Sequence, residues 1–541
     1  ADSVFQTLLT DPEDLPLTRI LLSLVRYYVQ TDQPEKAEEA YWQAVYGISS
    51  VLEADLLIED FMPIVNEREY VLLTQTLPIH AIPGAIHLFW LERNPLPSAQ
   101  TNERLIEHYR RILYAEKHYI YDRYRRFMAK ADYLNRFSFP PWYDQNKKYD
   151  DRGLIYIRYG PPDEQASGVG ERLPRNINWY YKATYDMPKL IFHFCVPDDI
   201  TIIAPPGYWT LTPCLLDSSI VEWMMGWDGK FETWYQNPDP FMRQTMELEI
   251  VDEDVKMVEQ GFRHDRHSWP EKTEPLEMSH IDARFRESAE EECVQFAYAV
   301  PLSELLENRT RTDSVRLETG IAVFDSNMVE LCRDLREFTV KDTTDPHIWK
   351  YLFIDEFEIP LIPHQYNIAI HARVTDGHKL NGWRFKYPVP PTPRGRLSCS
   401  SLKLAFDVSP KTVSESRHRE NLKIIPNPTK RFKNDEPLFA YFEIYNLTYD
   451  PQGNTEYTLT FVLQEKKEKQ NLFDRITGLF GGQKGYKVSV ENTVKGTERT
   501  VTDYISFDMS KLKKGEYELI LKIKDRVSGN DASASADFEL K

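Results

Sequence analysis

"DDRGLIYIRYGPPDE", residues 150–164, sets a short apolar run between two polar, turn-forming ends. Residues 154–159 alternate Leu, Ile, Tyr and Arg, and this predicts a strand. In that reading Leu154, Tyr156 and Arg158 face one side of a sheet, and Ile155, Ile157 and Tyr159 face the other. Gly153 would admit a positive φ just before the strand. Asp150 or Asp151 would accept the turn's backbone N–H groups, and Arg152 would pair with a carboxylate. Gly160-Pro161-Pro162 would stop the strand, leaving Asp163 and Glu164 at its mouth. Asp151, Arg152, Gly153, Tyr159, Gly160, Pro161, Pro162, Asp163 and Glu164 then form an entry and an exit clamp. The sharper reading is a site built from Asp151, Arg152, Asp163 and Glu164. A strand rises about 3.3 Å per residue, which holds the two acidic ends too far apart to act on one bond.

On the N-terminal side of this segment the pattern is helical. "LPLTRILLSLVRYYVQ" places Leu17, Ile20, Leu21, Leu24, Val25 and Tyr28 at helical spacing. "DQPEKAEEAYWQAVYGI" follows, with Ala37, Ala40 and Ala44 small enough for close helix approach. "EADLLIEDFMPIV" and "EREYVLL" predict a second pair, and residues 102–128 a long helix with a Tyr-rich stripe. On the C-terminal side, "NWYYKA" and "KLIFHFCV" predict a hairpin around the turn "TYDMP". From about 240 to 400, and again from 401, apolar and polar residues alternate between turn signals. "HQYNIAIHARVTDGH" and "GEYELILKIKDRVSGN" end the two regions alike, which suggests a duplicated module.

The expected fold is multidomain α+β. Residues 1–84 form helical hairpins, 85–204 a mixed α/β domain, 205–400 a β-sandwich with a helical lead-in, and 401–541 a second sandwich carrying an amphipathic insert. Both sandwiches are expected to be antiparallel and immunoglobulin-like. A chain of 541 residues is long enough for three to four cores. Its 31 Tyr, and its excess of Pro (35) over Gly (22), suit strands with Pro-marked turns.

A net charge of −18 opposes binding to nucleic acid or anionic lipid. No apolar run is long enough for a transmembrane helix. The chain opens on Ala without a signal peptide, which suggests a processed or truncated start. The five cysteines show no CxxC and read as small buried hydrophobes.

"FWLERNPLPSAQTNERLIEHYRRILYAEKHY" followed by "DDRGLIYIRYGPPDE" resembles the GWxTD-domain family of bacterial envelope or secreted proteins. "DARFRESAEEECVQFAYAVPLSEL", "LSCSSLKLAFDV" and "LKIIPNPTKRFKNDEPLFAYFEIYNL" resemble the β-rich portions that accompany that domain. The resemblance runs from about residue 85 to the end and implies an extracytoplasmic address, with no activity to carry over. The namesake Gly-Trp-x-Thr-Asp should fall on 147–151, which here reads Lys147-Lys148-Tyr149-Asp150-Asp151. If the family's Gly-Trp forms a ligand platform, Trp142, Tyr143 or Tyr149 would supply the aromatic here. The N-terminal hairpins resemble a tetratricopeptide pair in fragments of its pattern.

Motifs for a nucleophile, a catalytic metal or a phosphate loop are missing. "RHDRHSW" offers His264, Asp265 and His267, which converge only if the segment turns. No metal or cofactor is expected. The strongest binding candidate is "QNLFDRITGLFGGQKG", where Leu472, Phe473, Ile476, Leu479 and Phe480 share one face of a short helix. Each such side chain contributes about 1.5–3 kcal/mol when buried. The favoured function is a non-enzymatic extracytoplasmic scaffold that binds other protein subunits or itself, with membrane-surface contact a lesser role for the insert. The alternative is a hydrolase of peptide or polymeric substrates in the mixed domain, with Trp179, Tyr180 and Tyr181 as its platform.

Overall fold

A computed structural model describes residues 5, 16–121, 137–146, 148–169, 173–185, 187–196, 208–214, 216–269, 273–288, 291–306, 314–341, 351–375, 379–391, 393, 395–410, 422–466 and 487–541. The chain divides into two units, Ala1–Glu271 and Lys272–Lys541.

The first unit begins with helices α1 (Leu17–Gln30), α2 (Pro34–Tyr46), α3 (Val51–Phe61), α4 (Glu67–Val71), α5 (Ile82–Arg93) and α6 (Glu103–His118). α1 buries Ile20, Leu21, Leu24 and Val25, and α2 buries Ala37, Ala40 and Ala44. These small residues let the two helices approach closely. α3 and α4 each start with a capping box, Ser50 with Glu53 and Asn66 with Glu69, so their first N–H groups are satisfied locally. In the core, the Trp90 indole donates to the Tyr41 hydroxyl at 2.7 Å.

After α7 (Pro141–Gln145), the segment predicted as a strand is instead helix α8 (Asp151–Tyr159). Asp150 is its N-cap and accepts from the backbone N–H groups of Arg152 and Gly153. Gly160 ends it at φ +78°. Leu154, Ile155, Ile157, Arg158 and Tyr159 are all buried. A helix buried on nearly every side loses the polar face that gives a period of 3.6, so its apolar run imitates a strand. Gly153 sits inside the first turn, without a positive φ.

Strands β1 (Glu164–Ala166), β2 (Arg175–Tyr181), β3 (Leu190–Val196) and β4 (Thr210–Thr212) form one antiparallel sheet in that order. β2 and β3 are the expected hairpin. Helices α9 (Ser218–Met224), α10 (Gly229–Gln236) and α11 (Pro240–Gly261) follow, so residues 240–261 are helical rather than β. Asp239 caps α11 and Pro240 occupies its first turn. Only Ile250, Asp254, Val258 and Gly261 of this helix are buried, so its apolar stripe is faint in the sequence. Residues 205–271 therefore belong to the first unit.

The second unit holds two pairs of facing sheets. In the first pair, β6 (Ser279–Arg286), β7 (Glu292–Pro301) and β10 (Leu352–Leu361) face the sheet β5-β12-β11-β8-β9. The latter comprises β5 (Glu274–Pro275), β8 (Ser314–Phe324), β9 (Glu330–Lys341), β11 (His364–Val374) and β12 (Lys379–Val389). Phe296, Tyr298 and Val300 meet Leu317, Ile321, Ile368 and Ile370 in its core. In the second pair, β13 (Ser398–Cys399), β14 (Lys403–Pro410), β15 (Leu422–Pro426), β17 (Leu438–Tyr445) and β20 (Val501–Phe507) make one sheet. β16 (Arg431–Phe432), β18 (Thr455–Glu465), β19 (Lys487–Gly496), β21 (Gly515–Asp525) and β22 (Asp531–Leu540) make the other, ordered β16-β22-β21-β18-β19.

One five-stranded sheet from each pair shares a common topology. Strand for strand, β5-β12-β11-β8-β9 corresponds to β16-β22-β21-β18-β19, and the first pair is parallel in both. β10 pairs with β7 as β20 pairs with β17. The two similar sequence endings fall on β11 and β21. The departure is in the sheets that face these two, where β6 follows β5 but β14 precedes β16. Ala283 and Phe285 of the first pair of sheets pack against Ala405, Val408, Ile424 and Tyr441 of the second. Lys403, 3% exposed, reaches Gln295 at 2.7 Å and Glu356 at 2.5 Å.

Candidate functional site

The ends of the 150–164 segment do not meet. Asp151 is fully buried and accepts from the Tyr208 hydroxyl and the Leu211 N–H, each at 2.7 Å. Glu164 accepts from the Trp227 indole at 2.7 Å. Asp163 takes both arms of Arg266, at 2.8 and 3.0 Å, and these hold its carboxyl below the ordinary range although burial opposes them. Arg152 pairs with Asp150 at 2.6 Å and lies over the Trp209 ring at 4.3 Å. Of the aromatic platform in the hydrolase reading, Trp179 and Tyr181 are buried, whereas Tyr180 is half-buried and stacks on the Trp227 ring.

The same helix is the keystone of a buried ionic cluster. Arg158 donates to the carbonyls of Pro63 (2.8 Å), Val65 (3.1 Å), His264 (2.6 Å) and Phe262. Arg111 donates to the carbonyls of Ile157 and Arg158 at the end of α8, and pairs with Glu107. A Cβ on Gly160 would meet the Arg111 guanidinium at 2.7 Å, so this position requires glycine twice over. Asp265 accepts from Arg93 and Arg104, and His267 pairs with Glu107 at 2.8 Å. "RHDRHSW" thus seals this cluster instead of assembling His264 and His267 as ligands. Burial raises the carboxyls of Asp265 and Glu107, but the surrounding arginines outweigh it, with His267 also acting on Glu107, and pull each down to about 2.

Residues of α3, α4, α7 and α8 help line a cavity of about 560 Å³. Its wall includes Asp55, Glu59 and Asp60 from α3, Tyr70 from α4, Trp142 from α7, and Tyr149 just ahead of α8. Asp60 is held by Arg26 at 2.6 Å, and Lys148 by Glu116 at 2.5 Å. Asp55 and Glu59 are exposed and pair with no cation among the described residues. The Tyr149 phenol is pushed up by burial, reinforced by Glu116, Asp60 and Glu59, so it remains a proton donor. The Trp142 ring is 2% exposed, and its indole N–H has no hydrogen-bond partner among the described residues. Trp142 and Tyr149 are two of the three aromatics that the GWxTD resemblance would put in place of a Gly-Trp platform. The carboxylates were hidden in the sequence, because "EADLLIEDF" reads only as an amphipathic helix. Leu472, Phe473, Ile476, Leu479 and Phe480 lie outside the described residues.

No protein-family model and no curated protein matches the chain. Among solved structures, trypsin-activated alpha-2-macroglobulin from Escherichia coli is similar at 12% identity and a TM-score of 0.14, over 50% of this chain. The match spans 17% of that chain's length, too slight a likeness to assign fold or function.

Proposed function

We propose that the chain is a non-enzymatic scaffold that binds another protein subunit by taking a basic side chain into the cavity between α3, α7 and α8. The observation that carries this is the pairing of two exposed carboxylates, Asp55 and Glu59, with the aromatic wall of Tyr70, Trp142 and Tyr149. Carboxylates at the rim select a cation, and aromatic faces hold its methylene stem and its charge. The sheet pairs of the second unit are read as immunoglobulin-like sandwiches, and the GWxTD resemblance supports an extracytoplasmic address for the whole.

The test is a titration of the full chain with short peptides bearing Arg or Lys, followed by intrinsic tryptophan fluorescence at two salt concentrations. Saturable binding is expected, weakened at least tenfold by Asp55→Asn with Glu59→Gln and weakened by salt. Glu39→Gln, a remote exposed charge, should leave it unchanged. Equal binding of a neutral peptide, or indifference to the double substitution, would overturn the reading.

A further inference from the structure

Three residues far apart in the sequence converge inside the first unit. His193 is central in β3, Cys214 follows β4, and Asp254 lies on α11 against the same sheet. All three are buried, at 1%, 7% and 0% exposure. The candidate ligand atoms, one from each residue, lie within 4.8 Å of one another. His193 Nε2 and Asp254 Oδ2 are 3.4 Å apart, an ion-pair distance, and neither atom meets full hydrogen-bond geometry among the described residues. Two buried polar atoms that face each other in this way are costly unless they share a proton or a cation.

The surroundings prepare the imidazole for that role. The Asn178 amide nitrogen donates to the Ala166 carbonyl at 3.1 Å, which turns its oxygen toward His193. His193 Nδ1 lies 2.6 Å from that oxygen and so carries the ring proton. Nε2 then faces Asp254 Oδ2. A histidine whose second nitrogen is tied to a carbonyl oxygen is the usual arrangement at protein metal sites. Lys230, at 2.6 Å from Asp254 Oδ1, fixes the carboxylate and leaves Oδ2 toward the cluster.

We propose that His193 Nε2, Cys214 Sγ and Asp254 Oδ2 bind one zinc-like divalent cation. Imidazole, thiolate and carboxylate together form a borderline-soft donor set that suits zinc. At zinc bond lengths of about 2.0–2.1 Å, a nitrogen and an oxygen ligand in tetrahedral array stand about 3.3 Å apart. The 3.4 Å between Nε2 and Oδ2 already meets that requirement. On binding, the Cys214 thiol gives its proton to solvent as the sulfur–metal bond forms. The competing arrangement is a metal-free one in which the thiol donates to Asp254.

The experiment uses the chelator-stripped full chain titrated with Zn2+, and separately with Co2+. Bound metal is measured by elemental analysis, and cobalt by its thiolate charge-transfer absorption. Wild type should take up one equivalent with a cobalt–thiolate band, and so should Cys195→Ala. Cys214→Ala should lose the band and bind at least a hundredfold more weakly while keeping its far-ultraviolet circular dichroism. Asn178→Ala, which touches no metal, should weaken binding by about 10–100-fold. Failure of wild type to take up either ion, or uptake that survives Cys214→Ala unchanged, would overturn the proposal.

Discussion

Replacing Arg158 by Met tests the reading of the first unit most severely. The guanidinium, 1% exposed, donates to four carbonyls, two from the turn after α3 and two from the chain after α11. Charge-assisted bonds contribute about 1.5–3 kcal/mol each, so the gross loss is roughly 6–12 kcal/mol. Removing the arginine also removes the cost of keeping a charge away from water, several kcal/mol. The net destabilisation should be about 3–5 kcal/mol, since methionine fills the space but leaves the carbonyls without donors. Nine of the eleven tryptophans lie within residues 1–271, so tryptophan fluorescence during urea unfolding follows the first unit. The unfolding midpoint should drop sharply for Arg158→Met and hardly at all for Arg110→Met, whose side chain is 48% exposed. A loss below about 1 kcal/mol would refute the placement of Arg158 in the core, and with it the helical reading of 151–159.

Two further outcomes concern the first unit. Asp151→Asn should destabilise the first unit by about 1–3 kcal/mol, because an amide cannot accept from both Tyr208 and the Leu211 N–H while its own N–H₂ lies buried without a partner; Glu164→Gln, on a half-exposed group, should cost less than about 1 kcal/mol, and comparison of the two urea midpoints checks the contrast. Asp265 and Glu107 have folded pKa values of about 2, depressed below their ordinary values of about 3.9 and 4.3, so their stabilisation is complete above those unfolded values and is lost as pH falls toward 2. Each carries about 2–3 kcal/mol, and acid unfolding followed by fluorescence should move toward neutral pH in Asp265→Asn, which leaves Arg93 and Arg104 without their partner.

Local chemistry in the sequence was sufficient for the amphipathic hairpins, the β2–β3 pair, the alternating strands of the second unit and the similarity of β11 to β21. Those elements are each half-buried, so their period is written in the order of apolar and polar residues. Helix α8 was misread because burial on nearly all sides erased its polar face, although Asp150 and Gly160 were in place as its cap and stop. Helix α11 was missed for the opposite reason, having too few buried residues to mark a stripe. The arginine cluster, the acidic and aromatic cavity and the His193–Cys214–Asp254 group were decided by tertiary structure alone. Each joins side chains from elements many residues apart, and a linear pattern encodes which face an element buries but not which distant face it will meet.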